Sequence, residues 1–183
     1  MMLVEETTLK GVIVFKPVSY KDDRGYFFES FKKNVYAEHG VTENFVQDNL
    51  SKSIHGTVRG LHYQVGEFAQ GKLCQVLSGR VLDVAVDIRF GSPTFGKYTV
   101  AELSEDNHHQ LWIPPGFAHG FSVLSEEAVF HYKCTHYYSK VHERAINYAD
   151  KQLNIDWNVA NPLVSPKDIE AKFFKDIDKD FIY

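Results

Sequence analysis

From Leu73 onward the sequence is a series of short apolar runs cut at close intervals by turn residues, and this spacing leaves few folds open. Leu73 to Leu77 is followed by the tight turn Ser78-Gly79, then by Val81 to Ile88, in which six of eight residues are apolar. Gly91-Ser92-Pro93 breaks the chain, Lys97 to Leu103 alternates again, and Gln110 to Ile113 stops at Pro114-Pro115-Gly116. His119 to Leu124 and Val129 to Tyr138 read as further strands. Turn signals about every 8–12 residues, with weak helical periodicity, predict an all-β sandwich or barrel.

The flanks add little helix. Val12 to Phe15 is a short strand closed by Pro17, and Asp22-Asp23-Arg24-Gly25 is a turn before the aromatic run Tyr26 to Phe31. Lys32 to His39 predicts a short helix with Gly40 as its stop. Ser165-Pro166-Lys167-Asp168 carries a helix-start pattern, with serine at the N-cap, proline next and an acid at the third position. The stretch from Asp168 to about residue 180 reads as a short helix or an extended tail. No linker composition or repeat divides the chain, so one domain is expected over residues 1–183.

Composition excludes some partners. A formal charge of −4 argues against a dedicated nucleic-acid binder, while an anionic small molecule stays open because a pocket sets its own local sign. Cys74 and Cys134 are the only cysteines, each in a strand-like run, which fits core packing in a reducing compartment. The N-terminus lacks a basic, then apolar, leader pattern, and no apolar run approaches the ~20 residues needed to span a bilayer. A cytoplasmic location without membrane association is expected.

Val58-Arg59-Gly60-Leu61-His62-Tyr63-Gln64 is the most informative stretch. A buried strand rarely carries so many polar groups, since each needs a partner, so the strand is expected to line a cavity. His62 then reads as a base and Arg59 as an anion ligand, against the plainer reading of a core histidine beside a surface arginine. The chain has nine histidines. A metal-binding cupin pairs two histidines two residues apart with a P-x-G-x-x-H segment on another strand. Pro114 to His119 supplies the second part, but position 64 is Gln64 and no glutamate nearby has the right spacing. His108-His109 reads as a solvated turn, so no metal is expected. Two histidines facing one cavity without a metal suggest proton chemistry, with a carboxylate to orient the base. Tyr132 is a candidate acid, or else a core aromatic. Arg24, Arg59, Lys72 and Lys167 are isolated cations of the kind that bind phosphate, or plain surface charges.

The chain resembles the dTDP-4-dehydrorhamnose 3,5-epimerase family from about Gly11 to Asp168. The motifs that carry the resemblance are Asp23-Arg24-Gly25-Tyr26-Phe27, Gln47-Asp48-Asn49, Arg59 to Gln64, Gln70-Gly71-Lys72-Leu73 and Asp83 to Arg89. They continue with Ser92 to Gly96, Leu111 to Phe121, Tyr132-Lys133-Cys134 and Ser165 to Asp168. The resemblance implies a cupin-type jelly-roll β-barrel with short peripheral helices, a homodimer that needs no cofactor, acting in dTDP-L-rhamnose biosynthesis. Residues 147–183 would form a C-terminal extension packed near the active site. The substrate class is a dTDP-4-keto-6-deoxyhexose, epimerised at C3 and C5 beside the C4 ketone. In that family the base falls on His62, its orienting carboxylate on Asp168, the acid on Tyr132 and the oxyanion stabiliser on Lys72. Arg59 and His119 match positions lining the sugar and pyrophosphate. Arg24, Glu29, Gln47, Asn49, Glu143 and Lys167 match nucleotide-side positions, and Tyr138 matches a tyrosine stacked on thymine. The alternatives are an epimerase that inverts one centre, and a silent sugar-nucleotide-binding cupin, which would be expected to lack His62, Tyr132 or Asp168. Two segments depart from the family pattern: Asn147-Tyr148-Ala149-Asp150, and Gly66 to Ala69 at the pocket mouth.

Overall fold

Strand parity sorts most of the chain into two facing sheets. The structure, a computed structural model, describes residues 2–183. Its strands in chain order are β1 (Leu3–Glu6), β2 (Ile13–Lys16), β3 (Tyr20–Asp22), β4 (Gly25–Phe27), β5 (Gln47–Ile54), β6 (Thr57–Gln64) and β7 (Lys72–Ser78). They continue as β8 (Arg80–Asp87), β9 (Tyr98–Ser104), β10 (Gln110–Ile113), β11 (Phe117–Val123), β12 (Glu127–Cys134), β13 (Glu143–Ala145) and β14 (Leu163–Val164). Helix α1 is Lys33–Ala37 and α2 is the single turn Pro166–Ile169. One sheet runs β1-β2-β10-β7-β12-β5; the other runs β13-β6-β11-β8-β9, with β14 parallel to β6.

Between the sheets, alternate residues of both interdigitate. Cys74 and Val76 of β7 and Phe130 of β12 meet Val81 and Ala85 of β8 and Phe117 and Phe121 of β11. The second sheet is buried on its outer face as well. Val84, Val86, Leu61 and Ala118 point outward beneath Leu153, Trp157 and Phe174 of the C-terminal segment. Burial on both faces explains why residues 81–88 read as an almost unbroken apolar run rather than an alternating one. The departing Asn147–Asp150 segment organises this cover. Asp150 accepts from the backbone N–H of Leu153 (3.0 Å) and Phe174 (2.7 Å), and Asn147 donates to the Ile169 carbonyl (2.7 Å).

Three expectations change in detail. The aromatic run from Tyr26 shortens to β4, because Phe31 turns inward onto Tyr36 and Phe45. His108 is buried, not solvated: its ring lies 4.5 Å from Tyr26 and 4.6 Å from Phe28, which cover it. The tail resolves into α2, a 3-10 turn at Phe174–Asp176, and an extended end whose Ile182 bridges Phe90.

Asp87 closes the end of β8 and is fully enclosed. It accepts from Arg89 Nε (2.9 Å) and Nη2 (2.7 Å), Ser92 Oγ (2.6 Å) and Thr94 Oγ1 (2.6 Å). Burial alone would raise its pKa, but these donors outweigh it and hold the carboxyl at about 2, against an ordinary 3.8. That gap corresponds to about 2 kcal/mol. Because the folded-state pKa is depressed, this stability is present above about pH 4 and is lost as pH falls toward about 2. Asp87→Asn is expected to cost about 2 kcal/mol at neutral pH and to flatten the acid limb of stability. Urea unfolding at about pH 7 and about pH 3 measures both, and an unchanged neutral midpoint would refute the assignment.

Candidate active site

The cavity between the sheets is lined from both sides. The first sheet supplies Gln47, Asn49 and Ser51 from β5, Lys72 from β7 and Tyr132 from β12. The second supplies Arg59, His62 and Gln64 from β6, His119 from β11 and Glu143 from β13. Tyr138 stands on the loop between β12 and β13, and the cavity, open to solvent at its mouth, has a volume of about 420 Å³.

Simple parity brings in most of these side chains. Lys72 shares its face of β7 with Cys74 and Val76, Tyr132 shares its face of β12 with Phe130, and His119 lies between Phe117 and Phe121 on β11. Arg59 and His62 are three apart, which regular pleating would place on opposite faces. The ladder to β11 is irregular there: His62 pairs with His119, but Arg59 pairs with Phe121. β6 thus carries one extra residue, a bulge that returns both side chains to the cavity. The bulge needs glycines. A Cβ on Gly60 would lie 2.5 Å from Gly120 Cα, and Gly60 has φ +125.

His62 is held from behind. Its Nε2 lies 2.6 Å from Asp168 Oδ1, so the neutral ring donates from Nε2 and keeps its lone pair on Nδ1. Asp168 sits at the third position of α2, where its backbone N–H donates to the capping Ser165 Oγ (3.2 Å). Burial works against ionisation of Asp168. The hydrogen bond and charge of His62, with smaller help from the Gly60 N–H and Ser165, win and hold its pKa below the ordinary range. The Lys72 ammonium lies 3.4 Å from the His62 carbonyl and 5.8 Å from the centre of the Tyr132 ring. Burial pushes the Tyr132 phenol well above its usual pKa, which keeps it a proton donor at neutral pH.

The outer part of the cavity continues into a polar cluster that includes residues beyond its lining. Lys167 Nζ pairs with Glu143 Oε1 (2.6 Å), and Tyr138 donates to Glu143 Oε2 (2.9 Å). Gln47 accepts from the Tyr138 N–H (2.8 Å) and donates to Asn49 Oδ1 (3.0 Å); Arg59 Nε donates to Ser53 Oγ (3.0 Å). Arg24 and Glu29 do not join them within one chain. Arg24 is exposed on the β3–β4 arm beside Asp22, and Glu29 pairs with Lys32 near α1.

Two further residues, Asp83 and Gln64, support the wall of the cavity. Asp83 lies within an apolar run, and a buried carboxylate there needs a partner. It finds His119, whose Nε2 is 2.6 Å from Asp83 Oδ1. Burial nonetheless pushes the His119 pKa below its usual value, against the pull of Asp83. Gln64, at the position a metal cupin gives to histidine, is a loop anchor. It donates to the Phe68 (2.8 Å) and Tyr137 (3.0 Å) carbonyls and accepts from the Ser139 N–H (2.6 Å).

Two facing sheets of this topology, with a polar cavity lined from both, define a cupin-type jelly-roll barrel. The sequence profile of the dTDP-4-dehydrorhamnose 3,5-epimerase family matches residues 6–176. The chain belongs to that family. It is 53% identical over 178 residues to the dTDP-4-dehydrorhamnose 3,5-epimerase of Shigella flexneri, covering 97% of this chain and 98% of that one. It is 49% identical over 179 residues to the Pseudomonas aeruginosa enzyme of the same name, with 97% and 98% coverage. The crystal structure of a dTDP-6-deoxy-D-glucose-3,5-epimerase from Legionella pneumophila Philadelphia 1, in complex with dTDP-4-keto-L-rhamnose, superposes with a TM-score of 0.96. That protein is 49% identical, and the match covers 100% of this chain and 99% of the other.

Proposed function

We propose that this protein is an isomerase that epimerises C3 and C5 of a dTDP-4-keto-6-deoxy-D-glucose, yielding dTDP-4-keto-L-rhamnose for L-rhamnose synthesis. The observation that carries this reading is the opposition of a carboxylate-backed histidine, His62, on one sheet and a protonated tyrosine, Tyr132, on the other across one cavity. Inversion needs that arrangement: a proton leaves one face of a carbon and another arrives on the opposite face.

The C4 ketone acidifies the hydrogens at C3 and C5. His62 removes the proton with its free nitrogen, and the electron pair moves into the ring to form an enolate with its charge on the C4 oxygen. The resulting imidazolium is stabilised by Asp168. The Lys72 ammonium, in the opposite wall beside Tyr132, offsets the oxyanion charge. Tyr132 then donates its phenolic proton to the opposite face and is reprotonated from solvent, while the His62 imidazolium gives up its proton to solvent and is ready for the second carbon. The two stereocentres flank one ketone, so a turn of the sugar presents each to the same pair of groups. Arg59 and His119 line the inner cavity where the sugar and pyrophosphate fit, while Gln47, Asn49, Glu143, Lys167 and Tyr138 form the nucleotide side. No step transfers electrons to an acceptor, so the chemistry calls for no redox cofactor.

A homodimer is part of this reading. β5 is an edge strand with Leu50 and Ile54 exposed, and the β3–β4 arm exposes Tyr20, Tyr26 and Phe27 beside Arg24. A second copy would cover this surface and give Arg24 and Glu29 a site to join; light scattering at a single-chain mass would refute it. No helix of the described residues is long and apolar enough to cross a membrane, and the buried free thiols of Cys74 and Cys134 suit action in the cytoplasm. The reaction is tested by NMR of the product after incubation of the dTDP-4-keto substrate in deuterated water. Deuterium is expected at both C3 and C5 with L-configured product. Deuterium at one carbon alone would assign a single-centre epimerase, and at neither a binding protein.

A further inference from the structure

Directly behind the cavity wall, three potential ligands of different chemistry meet where the two sheets face each other. Cys74 comes from β7 of the first sheet, and Asp83 and His119 come from β8 and β11 of the second. In the β8–β11 ladder Asp83 pairs with Phe121 and His119 with Ala85, so both side chains share the inward face, toward Cys74. One donor atom of each lies within 4.8 Å of the others, and His119 Nε2 is 3.7 Å from Cys74 Sγ. Cys74 and Asp83 are fully buried and His119 is 6% exposed.

The hydrogen bonding of this cluster is incomplete. Asp83 Oδ1 takes the His119 hydrogen bond, but Asp83 Oδ2 has no partner although it is buried. A buried carboxylate oxygen without a donor is costly, and neither a thiol nor a shared imidazole hydrogen satisfies it fully. A cation would. We propose that Cys74, Asp83 and His119 form a binding site for a thiophilic divalent metal ion, Zn²⁺ in the first instance, and that its occupancy inhibits the enzyme.

The donor set and its spacing support this. Thiolate, imidazole and carboxylate are the zinc ligands of proteins, and a tetrahedral ion with usual bond lengths holds sulfur and nitrogen about 3.6 Å apart. The observed 3.7 Å already matches. Nitrogen and carboxylate oxygen need to part from 2.6 Å to about 3.3 Å, as an ion replaces the shared hydrogen. One proton is lost, from the Cys74 thiol, and the imidazole hydrogen moves from Nε2 to Nδ1. The thiolate and carboxylate then neutralise the dication. The fourth coordination position is left to water or to a group in the cavity. Because His119 lines the cavity, an ion on its Nε2 re-aims that ring and cancels the negative charge that Asp83 otherwise places behind the wall. Inhibition therefore rests on the function proposed above, whereas binding does not.

Co²⁺, which reports thiolate ligation through a near-ultraviolet charge-transfer band, separates the two. The purified protein titrated with Co²⁺ is expected to develop this band to one equivalent per chain, and Zn²⁺ is expected to displace the cobalt. In parallel, epimerase activity is expected to fall in proportion to Zn²⁺ occupancy and to return with a chelator. Cys74→Val and Cys74→Ser are both expected to lose the band and to keep activity in the presence of Zn²⁺. Cys134→Ser, which removes the other buried thiol, is expected to retain both band and inhibition. Absence of the band in the wild-type protein, or its persistence in both Cys74 variants, overturns the site. A stoichiometric band with undiminished activity overturns the inhibition. A metal-free protein that shows no epimerisation at all refutes the functional reading instead, and leaves the band to decide the site.

Discussion

In the His62→Ala variant, incubated with the dTDP-4-keto substrate in deuterated water, neither C3 nor C5 is expected to acquire deuterium. Turnover is expected to fall by about 10²–10⁴-fold, the usual contribution of a positioned general base. The reason is local. His62 is the only imidazole lining the cavity that is backed by Asp168, at 2.6 Å, and its Nδ1 is left free to accept a proton. His119, the other histidine of the wall, has its Nε2 committed to Asp83, and burial disfavours its charged form. It is therefore a poor substitute base. The variant should fold, because His62 sits in the cavity wall and is not among the apolar core residues. Appreciable exchange in a well-folded His62→Ala protein would move the base elsewhere.

Tyr132→Phe is expected to separate the two halves of the reaction. The ring packs 5.9 Å from Phe130 and 6.4 Å from His119, contacts that phenylalanine keeps. Only the hydroxyl goes, and with it the proton for the opposite face. Proton removal by His62 should survive better than inversion. The enolate then regains a solvent-exchanged proton from the same side, giving deuterated substrate of unchanged configuration. Inverted product is expected to fall by about 10²–10⁴-fold, with exchange falling distinctly less. Parallel loss of exchange and product would contradict this division of labour.

Much of this site is legible in the sequence because strand parity is a local property. Once Leu73–Leu77 and Val129–Tyr138 are read as strands, Lys72 shares a face with Cys74 and Val76, and Tyr132 shares one with Phe130. The residues after Ser165 are similarly readable: the cap, the proline and the acid announce the turn that carries Asp168. The register of β6 is less so. Counting by twos would place Arg59 on the opposite face from His62, and only the bulge against β11 brings them together. A bulge depends on which strand lies alongside and how closely the backbones approach, here Gly60 against Gly120. The burial of His108 is illegible in the sequence for a related reason. Its exposure depends on Tyr26 and Phe28, which are distant in sequence and happen to lie over it.

By itself, then, the sequence determined the all-β class, the short strands with their turns, the inward faces of the regular ones, and the family through motifs kept in order. Those properties are written in period, turn chemistry and residue type, which act over a few neighbours. Only the tertiary structure decided that His62 reaches Asp168, that Arg59 shares its cavity, and that Arg24 and Glu29 stand apart from it in a single chain. Only there do Cys74, Asp83 and His119 come within ligand distance. Each of these is a meeting of side chains from different strands or sheets. Such meetings are set by register, twist and the packing of one sheet on the other, for which a linear chain carries no local sign.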